Sequence, residues 1–166
     1  MEKISRTFNG KIETYTKQIF YKDIDECIRV KQSMAENILT VASIEHPLIP
    51  KIYAADNTWY EMELIDGKQV GDFIWTVSYE ERKELIFKLV SQISSLISVM
   101  FKLKNESLPY HMFIGKDMRT LSNYMIDKDG RIVCVDFDTW RWYPDKEAMW
   151  NARNAVSFVI EKLLIS

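Results

Sequence analysis

Several residue types on which metal sites and phosphate loops depend are scarce in this chain. It has two cysteines and two histidines among 166 residues, and Cys27 and Cys134 belong to no CxxC motif or Cys/His cluster. We therefore find no zinc-ligand set and no Ser/His/Asp triad, and we expect both cysteines to be buried thiols rather than a disulfide. Glycine is scarce before residue 67, where only Gly10 occurs. The first 66 residues consequently hold no glycine-rich loop that would cover phosphates with backbone amides.

A strong charge of one sign and long apolar runs are also lacking. Lys and Arg total 22 against 24 acidic residues, which gives a net charge of −2, and no basic run exceeds two residues. This balance does not indicate a nucleic-acid partner. The most apolar stretch, residues 89–101, is interrupted by Gln92 and several serines and is too short to span a bilayer. The N-terminal MEKISRTF has a charged start with no apolar block after it, unlike a secretory signal, so we expect no membrane span and a cytoplasmic location.

Hydrophobic residues, in contrast, are plentiful at 47%, which is enough for one domain with a sizeable core. Residues 3–20 predict a β-hairpin that turns at Asn9-Gly10, and two further strands are predicted around Asp56-Asn57. Between them, apolar residues recur at helical spacing and predict an amphipathic helix over 24–44. Residues 1–67 are therefore predicted to form a four-stranded antiparallel sheet with one helix.

The second part of the chain is predicted to be mainly helical. Ser78 with Glu81 forms a capping box, which opens a helix predicted to run to residue 103, and a second helix is predicted over 146–164. A hairpin lies between them, followed by an aromatic-rich segment. Its aromatic residues are expected to pack between the hairpin and a helix rather than to stack a sugar; they are Trp140, Trp142, Tyr143 and Trp150. The predicted fold class is α+β.

The hairpin NYMIDKDGRIVCVDFD suggests a metal site. If Asp129-Gly130 is a two-residue turn, the pairing of the strands places Asn123 opposite Asp136, with their side chains on one face. An amide oxygen and a carboxylate, completed by phosphates and water, are typical ligands of Mg²⁺. On the hairpin alone, a second interpretation is equally good: Asn123 caps a strand and Asp136 begins a turn.

The segment GKDMRTLSN places Asp117 and Arg119 shortly before Asn123, and the hairpin ends in Asp-Phe-Asp. This order resembles the catalytic core of the protein-kinase-like phosphotransferases, in which HxDxxxxN precedes a DFG-type motif. The sequence looks like the branch of this superfamily that includes aminoglycoside kinases and lipopolysaccharide-sugar kinases. The resemblance implies a minimal two-lobed kinase-like fold, with an N-terminal lobe at 1–67 and a reduced helical C-terminal lobe at 68–166.

The resemblance also implies a role for each residue of this core. Asp117 would orient the attacking hydroxyl and accept its proton, and Arg119 would lie near the transferring phosphate. Asn123 and Asp136 would hold Mg²⁺ between the phosphates of ATP. Simpler interpretations are a carboxylate in a turn for Asp117 and a solvated surface cation for Arg119.

Nucleotide contacts are implied for the N-terminal part. The strand YTKQIF would carry the phosphate-binding Lys17, and Glu36 in AENIL would form an ion pair with it. The backbone of Glu61, Met62 and Glu63, in YEMELIDG, would hold adenine as the hinge. Plain surface charges remain an alternative for Lys17 and Glu36, because Lys11, Lys22 and Glu13 lie nearby in the sequence.

The pattern departs from the family in three places. Gly115 stands where the family has histidine, Asn123 lies six positions after Asp117 rather than five, and the glycine-rich loop is absent. Three hypotheses follow. The first is an ATP- and Mg²⁺-dependent phosphotransferase acting on a hydroxyl of a sugar or small molecule; the second is a pseudokinase that binds nucleotide or a protein; the third is an unrelated α+β module. Because the helical lobe is short, a homo-oligomer or a protein partner is also predicted.

Overall fold

The computed structural model describes residues 2–8, 11–19, 27–31, 35–55 and 59–165. In this part of the chain, strands form three antiparallel sheets and are accompanied by four α-helices and one short 3₁₀ helix. This mixture is compatible with the predicted α+β class. The chain divides into two compact units, the first made of Met1–Ser43 and Pro50–Leu64, the second of Ile44–Ile49 and Ile65–Ser166.

The first unit contains a sheet of five described strands and one helix. The strands are β1 (Glu2–Phe8), β2 (Lys11–Ile19), β3 (Cys27–Lys31), β4 (Ile52–Ala55) and β5 (Trp59–Glu63), in the order β1-β2-β4-β5-β3. Phe8 pairs with Lys11, which confirms the first predicted hairpin. β4 and β5 pair as predicted. The turn residues predicted for both pairs lie outside the described residues.

The helix predicted over 24–44 is wrong in its first part. Residues Cys27–Lys31 form strand β3, and the helix α1 covers only Ala35–Ala42. Ile28 and Val30 are β-branched residues, and they pair with Met62 and Tyr60 of β5. The spacing of apolar residues in a short run does not distinguish a helix from a strand. Here, pairing with β5 makes the segment a strand.

The second unit is built from two small sheets and three helices. Its elements are β6 (Gly67–Gln69), α2 (Val70–Phe73), α3 (Tyr79–Met100), β7 (His111–Gly115), a 3₁₀ helix (Leu121–Asn123), β8 (Tyr124–Asp127), β9 (Ile132–Cys134), β10 (Trp140–Pro144) and α4 (Asp145–Glu161). One sheet has the order β6-β8-β9, and the other pairs β10 with β7.

The predicted start of α3 is confirmed. The Ser78 side chain accepts a hydrogen bond from the Glu81 N–H at 3.3 Å, and the Glu81 carboxylate accepts one from the Ser78 N–H at 2.9 Å. The helix then buries a stripe at the 3.6-residue period, consisting of Leu85, Ile86, Leu89, Ile93, Leu96 and Met100. It packs against α4, whose buried face is mostly alanine. Of the helices in the described part, none combines the length and the apolarity that crossing a membrane requires.

A short segment before β4, Ile44–Ile49, belongs to the second unit. The Cys134 N–H donates to the Leu48 carbonyl at 2.8 Å. His46 Nδ1 accepts a hydrogen bond from the Leu48 N–H at 3.1 Å, and its Nε2 lies 3.2 Å from Ser95 Oγ. His46 therefore has a structural role, holding this segment against α3.

Candidate functional site

The hairpin made by β8 and β9 differs by one residue from the predicted register. Met125 lies opposite Val133 and Ile126 opposite Ile132, so the predicted pairing of Asn123 with Asp136 is wrong. The Val135 N–H donates to the Asn123 carbonyl at 2.9 Å, which makes residue 135, not 136, the neighbour of Asn123 on the hairpin.

The cause of this shift is the turn. Asp127 Oδ1 accepts hydrogen bonds from the N–H groups of Asp129 and Arg131, each at 2.9 Å. Gly130 has a φ of 78°, the left-handed conformation that glycine adopts without a steric penalty. A three-residue loop closed by a left-handed glycine is the usual alternative to the two-residue turn, and the Asp127 side chain selects it here.

A compact loop nevertheless brings Asn123 to Asp117. The Thr120 N–H donates to the Asp117 carbonyl at 2.8 Å, and the Asn123 N–H donates to the Thr120 carbonyl at 3.0 Å. The Asn123 side chain returns to the same Asp117 carbonyl, with Nδ2 at 3.4 Å. These bonds close the loop between Asp117 and Asn123, although it is one residue longer than the loop of the family motif.

Asp136 and Asp138 add negative charge near this loop. The Asp138 N–H donates to Asp136 Oδ1 at 3.0 Å, a local side-chain turn that orients the carboxylate. Burial raises the pKa of Asp117; a hydrogen bond from Thr139 opposes the rise, and the negative charge of Asp136 adds to it. Burial likewise raises the pKa of Asp138, and the negative charges of Asp136 and Asp117 raise it further. The three carboxylates therefore act on one another, and their combined field favours a cation.

Thr139 is a site residue that the sequence did not reveal. Its hydroxyl donates to Asp117 Oδ1 and accepts from the Asp117 N–H at 3.2 Å. The Tyr143 hydroxyl donates to the Thr139 carbonyl at 2.8 Å. The threonine reaches Asp117 because β7 pairs with β10, which places Trp140 opposite Gly115. The alternating apolar residues of HMFIG and WRWYP are a sequence signal for these two strands.

Gly115 is explained by the same pairing. A Cβ atom on this residue would lie 2.4 Å from Nε1 of Trp140, which is closer than van der Waals contact allows. The Trp140 side chain is fully buried and meets Phe113 and Phe137 edge to face. A histidine at position 115 would therefore require this indole to move, so a glycine is needed here. The expectation that the aromatics of this segment pack is met by Trp140, whereas Trp150 is mostly exposed.

Arg119 points to another part of the second unit. Its guanidinium carbon lies 4.8 Å from the centre of the Phe158 ring on α4. Among the described residues, no hydrogen bond or ion pair joins it to Asp117, Asn123 or Asp136. The predicted site residues of the second unit thus fall into a group of three that lie together and one that lies apart.

In the first unit, Lys17 lies on β2 opposite Glu2, and Glu36 is the second residue of α1. The resemblance placed the phosphate-binding lysine on the strand directly before the helix. That strand is β3, which was predicted to be helical and which carries Lys31. The roles of Lys17 and Glu36 stay predictions, and Lys31 is a competing candidate for the first.

The predicted hinge residues lie within β5. Glu61 and Met62 are buried and pair with strands on both sides, β3 and β4, so their backbone groups are used in the sheet. The Glu63 carboxylate accepts a hydrogen bond from the Lys51 N–H at 2.9 Å. The segment that leaves the strand, residues 64–66, has no ladder partner in the described sheet.

The oxygen donors of the group formed by Asp117, Asn123 and Asp136 suit a magnesium ion. Asn123 offers an amide oxygen and Asp136 a carboxylate, and hard oxygen atoms are what Mg²⁺ prefers. Among the described residues, no group of three Asp, Glu, His or Cys side chains is arranged to hold a metal by itself. A magnesium ion would therefore need phosphate and water oxygens in addition, as it does in nucleotide sites. No family model matches this chain, and no curated protein matches it.

Proposed function

We propose that this chain is an ATP- and Mg²⁺-dependent phosphotransferase of the protein-kinase-like type, acting on a hydroxyl of a sugar or small molecule. One observation carries the proposal: residues 117, 123 and 136, separated in sequence, lie together. The Asn123 amide bonds to the Asp117 carbonyl, and the Asn123 carbonyl accepts a hydrogen bond from the N–H of Val135, the residue before Asp136. The negative charge of Asp136 also raises the pKa of Asp117. This is the group that the resemblance to HxDxxxxN and DFG-type motifs requires.

The metal would be held by Asn123 and Asp136. Because Asn123 Nδ2 donates to the Asp117 carbonyl, the other atom of the amide, Oδ1, is the one suited to a cation. The Asp138 N–H fixes the Asp136 carboxylate through Oδ1. When bound, Mg²⁺ supplies charge neutralisation for the phosphate oxygens.

Asp117 would orient the acceptor hydroxyl. The Thr139 hydroxyl donates a hydrogen bond to Asp117 Oδ1 and accepts one from the Asp117 N–H. These two bonds fix the Asp117 carboxylate relative to the loop. Burial, which raises the pKa of Asp117, also makes this carboxylate a stronger base than an exposed aspartate. Positioning of this kind is most of what phosphoryl transfer asks of a protein.

A second candidate function is a pseudokinase that binds nucleotide or a protein without transferring phosphate. It is favoured by the absence of glycine between Gly10 and Gly67, since no glycine-rich loop can then cover the phosphates. The position of Glu61 and Met62 inside a sheet also favours it, because their backbone is not available to adenine.

A thermal-shift titration with ATP and Mg²⁺ tests the proposal. ATP at about 100 times its dissociation constant stabilises a protein by about 2.7 kcal/mol, which raises Tm by a few degrees at this size. We expect this shift to require Mg²⁺ and to be lost in Asp136→Asn. Asp129→Asn is the matched control, because Asp129 is exposed and uses only its backbone N–H in the turn.

Transfer is measured separately, as ADP formation with a panel of hexoses and aminoglycosides. Asp117→Asn should retain the magnesium-dependent shift and lose ADP formation. A shift in the wild-type chain without ADP formation supports the pseudokinase instead. The absence of any magnesium-dependent shift contradicts the phosphotransferase, and of the second candidate it leaves only a pseudokinase that binds a protein.

A further inference from the structure

A cavity of about 570 Å³ lies in the second unit, on the part of the Asp117–Asn123 loop that carries Arg119. Its walls come from this loop, from α2 and from α4. The residues that matter for its chemistry are Gly71, Trp75, Arg119, Ser122, Phe158 and Lys162. We call it the Arg119 pocket. Its volume is in the range of small-molecule sites in proteins.

The pocket is positively charged on a chain of net negative charge. Arg119 and Lys162 both line it, and none of its lining residues is acidic. Within the described part of the chain, neither cation has a carboxylate within 4.0 Å. Two unpaired cations at one concave surface raise the local concentration of anions and can bind a phosphate directly.

Aromatic surface lies beside these cations. Trp75 is 48% exposed and Phe158 is 39% exposed, so both rings offer apolar surface to a ligand in the pocket. Arg119 lies over Phe158, and the Arg82 guanidinium carbon lies 4.9 Å from the centre of the Trp75 ring. These contacts hold the rings in place, so a planar or sugar ring would meet a prepared surface.

The junction between α2 and the loop is fixed as well. The Gln69 side-chain amide donates to the Ser122 carbonyl at 3.0 Å. A Cβ atom on Gly71 would lie 3.2 Å from the Ser122 backbone nitrogen, so the helix and the loop are in close contact. The pocket therefore has a rigid wall and does not depend on a ligand to form it.

We propose that the Arg119 pocket binds a small ligand that joins a phosphate group to a ring. The phosphate pairs with Arg119 and Lys162, and the ring packs against Trp75. This inference goes beyond the proposed function: it depends on the residues of the pocket alone and holds whether or not the chain transfers phosphate.

Calorimetric titration of the whole chain with phenyl phosphate, in EDTA, tests this proposal. We expect saturable binding that is tighter than binding of inorganic phosphate and of phenol, because each of these offers only one of the two features. Arg119→Gln combined with Lys162→Gln should weaken phenyl phosphate binding at least about tenfold, as the loss of charge-assisted hydrogen bonds does. Arg153→Gln, on an exposed part of α4 outside the pocket, is the matched control and should bind normally.

Further variants separate the pocket from its alternatives. Arg119→Lys keeps the charge and should bind more tightly than Arg119→Gln, with equal Tm values for the two variants excluding a folding defect. Asp136→Asn should leave binding unchanged. Two results would overturn the proposal: no saturable binding by the wild-type chain, or binding that is lost in Asp136→Asn and kept in the Arg119 and Lys162 double variant.

Discussion

At the scale of single residues, the environment of Asp117 is decided by one contact across a two-stranded sheet. Trp140 lies opposite Gly115, and the next residue back along the chain, Thr139, is thereby brought to the Asp117 carboxylate. The threonine hydroxyl both donates to and accepts from Asp117. The motif predicts the aspartate, but it does not predict the threonine, because the two residues meet only through the pairing of two strands that are distant in sequence.

Thr139→Val should raise the pKa of Asp117 further above its ordinary value. The hydrogen bond from Thr139 stabilises the charged carboxylate and opposes the effect of burial, so its removal leaves burial and the charge of Asp136 acting alone. Thr139→Ser keeps the hydroxyl and serves as the control. Carboxyl-carbon NMR titration measures the change, and a lower or equal midpoint in the valine variant would contradict the assignment.

At the scale of elements, strong local signals predicted the structure well. The capping box and the apolar period predicted α3 closely, and the first hairpin was predicted from its Asn-Gly dipeptide. Two of the errors have one physical origin, which is that partners elsewhere in the fold decided between local alternatives. β5 supplied a neighbour that made Cys27–Lys31 a strand, and the Asp127 carboxylate chose a three-residue turn over the expected two-residue one.

The hairpin turn makes this testable. Asp127→Ala removes the acceptor of two backbone N–H groups and should destabilise the protein by about 1–2 kcal/mol. Asp129→Ala, in the same turn, removes a side chain for which no hydrogen bond is found in the described structure, and should change the free energy of unfolding by less than about 0.5 kcal/mol. Urea denaturation compares the two variants, and equal effects would show that the Asp127 side chain does not select the turn.

At the scale of the whole molecule, order along the chain is not the order of the compact units. The sequence predicted a division at residue 67, whereas Ile44–Ile49 joins the second unit although Pro50–Leu64, which follows, joins the first. His46 helps to hold Ile44–Ile49 in the second unit, because its ring accepts a hydrogen bond from the Leu48 N–H and contacts Ser95. The sequence does not reveal this packing, because single residues do not encode distant partners such as Ser95.

This arrangement predicts a dependence of stability on pH. Burial lowers the pKa of His46 below its ordinary value of 6.5, so the folded chain binds this proton less readily than the unfolded chain. The contribution of neutral His46 to the free energy of unfolding is complete above pH 6.5. It is lost as the pH falls from 6.5 toward the pKa of His46 in the folded chain. Protonation of Nδ1 also removes the acceptor for the Leu48 N–H.

His46→Asn keeps a neutral acceptor and should lose less free energy of unfolding than the wild-type chain between pH 7.5 and 5.5. Chemical denaturation at the two pH values measures it. The raised pKa values of Asp117 and Asp138 act in the opposite direction, reducing stability as the pH rises above 3.8, but they are common to both proteins and do not affect the comparison. Identical losses in both proteins would contradict the role of His46.

The Cys134 thiol has a consequence for kinetics. It is fully buried in β9, burial raises its pKa, and its Sγ donates weakly to the Asp136 carbonyl. An alkylating reagent attacks the thiolate and can reach this sulfur only when the strand opens. In a Cys27→Ser background, the rate of alkylation therefore measures how often the polypeptide next to Asp136 opens. A ligand bound by the Asp136 carboxylate would lower this rate in proportion to its occupancy.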